Sequence, residues 1–264
     1  VNTKFVVRGV LLALPVTVVA LVAGFVLIVA QTPSGRPPDP TPLPPTILAP
    51  RGELPDEAVG LQEWARYRGE GYVLAGSGFF LRLVDGGIVG VTTAHSLSLG
   101  NPDRPLERIG LRLAGQTDFV VKFDTLRGNP GQPRTGGDMT VDYVLMQTGQ
   151  SIAPDLVLTP DPRDAPQPGE RVSLFTGIGE ERVLEGTVQS VSDVAVWVLM
   201  DEAFAPGLMS GSPFISQHTG QVVGMLIAVT PRRTRLLMGM HPIESIVQLA
   251  ESRTESIKMD DYQR

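Results

Sequence analysis

From residue 71 onward the chain is written in short apolar runs of five to nine residues separated by turn residues. A run of that length buries itself as a strand; a helix needs ten or more residues with a 3.6-residue repeat. GYVLA (71–75), FFLRL (79–83), GIVGVTTA (87–94) and DYVLM (142–146) form one group of such runs. RVSLF (171–175), VAVWVLM (194–200) and QVVGMLIAV (221–229) form another. DGG at 85–87 and HTGQ at 218–221 carry the glycines that tight hairpins need. Helical signals stand only at the margins. DEAVGLQEWARY (56–67) has apolar residues near helical spacing, and Pro242 opens IESIVQLAES with Ile243, Ile246, Val247 and Ala250 on one face. The expectation is an all-β domain of about a dozen strands, a sandwich or a pair of barrels.

Two segments precede this domain. Residues 9–30, GVLLALPVTVVALVAGFVLIVA, contain no charged group in 22 positions. As a helix that run spans about 33 Å, enough to cross a hydrocarbon core of about 30 Å. Lys4 and Arg8 precede it and Arg36 is the first basic residue after it, which predicts a cytoplasmic N-terminus (1–8) and an extracytoplasmic remainder. The run is longer than a signal-peptide core, and Ile28 occupies a position where cleavage after Ala30 wants a small residue, so an uncleaved single-pass membrane anchor is expected rather than a secreted chain. Residues 31–55 hold nine prolines in 25 positions, a composition that blocks helix and sheet and predicts a semi-rigid spacer. The domain itself is expected over 56–252, followed by a polar tail, 253–264.

Composition then narrows the chemistry. Residues 51–264 carry 19 basic and 27 acidic groups, an excess that repels phosphate backbones and argues against a nucleic-acid partner. With no cysteine, thiol nucleophiles, disulfides and zinc ribbons are all excluded. The three histidines form no HExxH arrangement, so no metal or other cofactor is expected. Hydroxyl and carboxylate chemistry remains.

Three segments offer that chemistry in chain order: His95 in TTAHSL, Asp142 in DYVLM, and Ser210 in SGSP. A serine hydroxyl needs a base within hydrogen-bond reach, imidazole has the right basicity, and a carboxylate behind the ring fixes its tautomer. Small residues around the serine let backbone N–H groups approach a developing oxyanion. Asp138 in GGDMT competes with Asp142, but it sits among loop residues, whereas Asp142 leads straight into an apolar strand. Ser212 neighbours Ser210, His218 falls in a hairpin turn, and His241 before Pro242 reads as packing.

At these residues the chain resembles the trypsin/chymotrypsin-like serine proteases, in the disulfide-free bacterial form of HtrA-type enzymes and glutamate-specific endopeptidases. GSGFFL followed by VTTAH resembles the approach to the histidine, and DYVLM resembles the aspartate strand. PGERVSLF with EGTVQSVS resembles the opening of the second barrel, and SGSPFISQHTGQVVGMLIAV the nucleophile loop and cleft hairpin. The match runs over residues 71–250; no PDZ-like region is expected after the terminal helix. The resemblance implies two six-stranded antiparallel β-barrels with a C-terminal helix, and a serine endopeptidase acting on polypeptides. It implies Ser210 as nucleophile, His95 as general base and acid, and Asp142 as orienting carboxylate. The backbone N–H groups of Leu208 and Ser210 would form the oxyanion hole. Phe204, with Ile227, Ala228 and Val229, would line the pocket for the residue before the cut; without an acid there, a modest apolar side chain is expected.

One position departs from the family. Leu208 stands where a glycine is usual, because the residue there needs an unusual torsion that a branched side chain resists. An extra loop residue, a hole completed only by substrate, or an inactive relative each fits that departure. The alternative function is a protease-fold domain that binds peptides or partner proteins without cutting them.

Overall fold

The computed structural model describes residues 52–163 and 165–262, with Leu43 and Pro45. The apolar run 9–30 and most of the proline-rich stretch lie outside the described residues. Among the described residues no helix is long and apolar enough to cross a membrane.

The first half of the domain supplies β1 (Leu61–Tyr67), β2 (Tyr72–Arg82), β3 (Ile88–Thr92), β4 (Leu106–Arg112), β5 (Val121–Phe123), β6 (Thr125–Arg127), β7 (Val144–Gln147) and β8 (Val157–Leu158). The second half supplies β9 (Arg171–Phe175), β10 (Val183–Ser192), β11 (Ala195–Met200), β12 (Pro213–Ser216), β13 (Val222–Arg232) and β14 (Arg235–Pro242). Helix α1 (Ile243–Ser252), β15 (Ser256–Lys258) and a 3₁₀ turn (Met259–Asp261) follow. The helix expected from Pro242 is therefore present, and it buries Ile243, Ile246 and Ala250.

Strands β9 to β14 close into a six-stranded barrel in the order β10-β11-β14-β13-β12-β9. The first half is not the second closed six-stranded barrel expected. It is a nine-stranded sheet, β15-β6-β7-β3-β2-β1-β4-β5, with β8 lying parallel beside β2. The reason lies at Asp124. Strands β5 and β6 are three residues each and flank that single residue, yet β5 pairs with β4 and β6 with β7. The curled sheet is thus joined at its ends by a bend in the chain, not by a ladder of hydrogen bonds. Strand β15 then adds to the free side of β6, so the expected polar tail is tied to the sheet and Met259 is buried against it.

The second correction concerns 56–67. Only Glu57–Val59 is helical, as one 3₁₀ turn, and Leu61–Tyr67 is a strand with alternate residues buried. Leu61, Ala65 and Tyr67 point inward with Glu63 among them. An acidic residue in an inward position breaks the apolar period of two, and the remaining apolar residues mimic helical spacing.

Three apolar clusters explain why so many runs are continuously hydrophobic. Phe80, Val144 and Met146 fill the first sheet's interior, and Val172, Phe214 and Leu226 fill the barrel. Their chain neighbours Phe79, Leu81, Leu145, Ile215, Met225 and Ile227 face the other way, into a third layer shared by the two halves and covered by α1. A strand buried on both faces has no polar phase. Each fully buried phenylalanine in these layers contributes about 1.5–3 kcal/mol.

Candidate active site

His95 follows β3 by three residues and lies in a turn closed by Leu97 N–H donating to the Ala94 carbonyl at 3.3 Å. Its Nδ1 is 2.9 Å from Asp142 Oδ2. Asp142 stands two residues before β7, a neighbour of β3 in the sheet, and its side chain is fully buried. Four donors converge on it. Oδ1 accepts from Ala94 N–H at 2.8 Å and His95 N–H at 3.1 Å, and Oδ2 accepts from Arg134 N–H at 3.1 Å and from the imidazole. Burial works to raise its pKa, but the hydrogen bond and charge of His95 and the backbone N–H groups outweigh it and hold the carboxyl below its ordinary range. An ionised carboxylate only accepts, so Nδ1 carries the proton and Nε2 is left as a free base. Asp138 is not part of this arrangement. Its Oδ1 accepts from the Thr140 N–H and hydroxyl, closing its own turn.

Ser210 lies between β11 and β12 in a loop of two consecutive tight turns. Met209 N–H donates to the Pro206 carbonyl at 3.3 Å, and Ser212 N–H to the Met209 carbonyl at 3.0 Å. The third residue of each turn has positive φ: Leu208 at 64° and Gly211 at 92°. That is the geometry of a type II turn, which prefers glycine in that place. Leu208 thus adopts the torsion that its side chain resists, with that side chain 46% exposed. At Gly211 no alternative exists, because a Cβ would lie 1.9 Å from the Ser77 carbonyl oxygen.

The loop is held by β2. Ser77 N–H donates to the Ser210 carbonyl at 2.9 Å, and the Ser77 hydroxyl donates to the Leu208 carbonyl at 3.2 Å. The Thr92 hydroxyl, at the end of β3, donates in turn to the Ser77 carbonyl at 2.8 Å. One buried serine therefore connects the Ser210 loop with the strand that delivers His95. Among the described residues the Ser210 hydroxyl itself carries no hydrogen bond, so alcohol and imidazole are not joined as His95 and Asp142 are.

The remaining candidates separate. Phe204 and Val229 pack against the barrel interior alongside Met209, whereas Ile227 and Ala228 are 4% exposed and belong to the shared layer. Ile227 is at a bulge, where the β13–β14 register slips between Leu226 and Ala228. Ser212 is fully buried, His218 lies in the β12–β13 hairpin, and His241 packs at 6.1 Å against the Tyr143 ring. No group of three or more potential metal ligands occurs among the described residues.

Sequence reasoning passed over three contributors. Ser77 lies within GSGFFL, a segment read only as an approach to the histidine. Arg134 contributes a backbone N–H, which no side-chain pattern announces. Glu63 is fully buried beside the site, with Oε2 2.8 Å from the Ser96 hydroxyl. Its signal was an acid in the inward phase of LQEWARY, hidden by the helical reading.

No family model matches the sequence, and no curated protein matches it. Solved structures do. The catalytically active tobacco etch virus protease complexed with product is 14% identical with a TM-score of 0.51, over 83% of this chain and 87% of that one. The thermostable serine protease AL20 from an extremophilic microorganism is 12% identical with a TM-score of 0.50, over 75% of this chain and 99% of that one. A serine endoprotease from Yersinia pestis is 16% identical with a TM-score of 0.49, over 74% of this chain but only 62% of its own length. The chain has the fold of the chymotrypsin-like serine proteases.

Proposed function

We propose that this chain is a serine endopeptidase that cleaves polypeptides through an acyl-enzyme, held outside the cytoplasm by the apolar segment 9–30. The observation that carries the reading is the His95–Asp142 pair. It leaves Nε2 as the free nitrogen of an imidazole that is one-third exposed, in the turn after β3, the strand whose Thr92 braces the Ser210 loop through Ser77.

In this reading Nε2 takes the Ser210 proton as Oγ bonds to the scissile carbonyl carbon. The contact between them tightens as substrate binds. The carbonyl oxygen gains charge and is met by the N–H groups of Leu208 and Ser210, while the buried carboxylate of Asp142 stabilises the imidazolium. The imidazolium gives its proton to the leaving amine, the C–N bond breaks, and an acyl ester on Ser210 remains. Water, deprotonated by the same nitrogen, then releases the acid and restores the serine. Phe204 and Val229, both apolar and packed against the barrel interior, favour an apolar side chain before the cut. Support for the membrane anchor is the uncharged run and its basic N-terminal flank.

Exposure of the protein to a fluorophosphonate probe tests the chemistry. The wild type is expected to label, Ser210→Ala is not, and Asp142→Asn should label about 10³–10⁴-fold more slowly because the imidazole loses its tautomer. A folded wild type that never labels would overturn the hydrolytic reading, leaving the non-cutting, peptide-binding alternative, which the unbonded Ser210 hydroxyl favours.

A further inference from the structure

Beneath the site lies a carboxyl group that the mechanism does not use. Glu63, on β1, faces the interior of the first sheet and is fully buried. Its cross-strand partner on β2 is Gly76, where a Cβ would lie 2.8 Å from Glu63 Oε2, 3.2 Å from Ser96 Cβ and 3.2 Å from the Ser210 carbonyl oxygen. The carboxyl therefore occupies the space behind both the turn that bears His95 and the loop that bears Ser210.

Hydrogen counting favours the protonated form. Ser96 Oγ is in hydrogen-bond contact with three atoms: Glu63 Oε2 at 2.8 Å, the Thr93 carbonyl at 3.0 Å and Thr93 Oγ1 at 3.1 Å. A hydroxyl owns one hydrogen. The Thr93 carbonyl can only accept, so Ser96 donates there, and the Thr93 hydroxyl donates to Ser96. The contact with Glu63 is then satisfied only if the carboxyl is the donor. An ionised Glu63 would force Ser96 to abandon the Thr93 carbonyl, and it would leave a buried charge with Oε1 unpartnered.

Among the described residues no charge compensates it. Its neighbours across the sheet are Gly76 on β2 and Leu111 on β4. Strand β3 and the following turn offer the Thr92 and Ser96 hydroxyls, and the nearby titratable group, His95, is turned to Asp142. The cations of β1 and β4 lie on the outer face, Arg66 with Glu107 and Arg112 over the Trp64 ring. Burial pushes the Glu63 carboxyl up to about 8.

We infer that Glu63 is a positioning residue that acts as a neutral acid, its proton fixing Ser96 and through it the turn that presents His95. This inference rests on the proposed hydrolytic site. Loss of the proton at alkaline pH loosens that turn and the reaction slows.

The test compares wild type with Glu63→Gln and Glu63→Leu in the full chain, reading the fluorophosphonate labelling rate of Ser210 against pH. Gln keeps a donor to Ser96 and cannot ionise, so E63Q should label near the wild-type rate at neutral pH and lose the wild-type fall centred near pH 8. E63L keeps a filled interior without a donor and should label about ten- to a hundredfold more slowly at all pH, the scale of a small misplacement of a catalytic group. An alkaline fall unchanged in E63Q, or wild-type behaviour in E63L, overturns the inference. The infrared carbonyl band of a protonated carboxyl, present at neutral pH in the wild type and absent in E63Q, reads the proton without any reaction. If no variant labels, the hydrolytic reading fails, and this band alone upholds or overturns the neutral acid.

Discussion

Leu208 is where a single residue's torsion and the site's chemistry meet. A branched residue at φ 64° costs about 1–2 kcal/mol relative to an unstrained position. The loop holds it there because its carbonyl accepts from Ser77 and because the next turn requires Gly211. Leu208→Gly should relieve that strain, leaving the unfolding free energy unchanged or higher by up to about 1 kcal/mol, with labelling of Ser210 retained. Leu208→Pro has the opposite effect: proline fixes φ near −65° and removes the N–H assigned to the oxyanion, so labelling should disappear. A second residue, His241, sets an acid limit. Burial pushes its imidazole down to about 4, against the pull of Asp142. Below pH 6.5 the unfolded chain takes up a proton that the folded chain refuses. Stability therefore falls as pH drops from about 6.5 to about 4, by roughly 3 kcal/mol over that window. His241→Phe should remove this part of the acid sensitivity, measurable as melting temperature against pH.

At the scale of elements, the segment entering the barrel is pinned to the β12–β13 hairpin by a compact ion network. Arg163 bonds Asp161 at 2.7 Å and Glu170 at 2.8 Å, and both carboxylates have side chains only 1% exposed. The Thr219 hydroxyl donates to Asp161 at 2.6 Å, and the Ser216 hydroxyl bonds Glu170. Arg163→Met would leave two buried carboxylates facing each other without their cation. A destabilisation of about 3–5 kcal/mol is expected in chemical denaturation. This network was not legible in the sequence, since its members are spread over residues 161–219. Element type was legible where pattern and burial agreed: the runs at 171–175, 195–200 and 222–229 are strands, and α1 starts at Ile243 after Pro242. It failed at Leu61–Tyr67 because Glu63 sits in an apolar phase. It also failed to register β5, β6 and β15, where three residues carry too few alternations to show a period.

The described residues form two β units with separate interiors and one shared layer. Phe79 and Leu81 come from β2, and Met225 and Ile227 from β13, so neither unit keeps its outer face dry without the other. Unfolding should therefore be cooperative across both. The chain has two tryptophans, Trp64 on β1 and Trp197 on β11, one reporter for each unit. Single-tryptophan variants should give coincident guanidinium midpoints; separated midpoints would mean that the shared layer does not couple the units.

The sequence by itself determined the strand-rich class, the terminal helix and the three segments that bear His95, Asp142 and Ser210. Apolar runs, turn residues and reactive side chains are local properties, and local properties are written in order along the chain. Tertiary structure alone decided that backbone N–H groups of Ala94, His95 and Arg134 converge on Asp142, that a bend at Asp124 joins the ends of the first sheet, and that Ser77 ties the serine loop to β2. It also placed the buried carboxyl of Glu63 under the site. These depend on contacts between residues 15 to more than 130 positions apart, each joining a polar side chain to a distant backbone N–H or carbonyl, and because nearly every residue offers such backbone groups, residue identity does not encode which of them will meet.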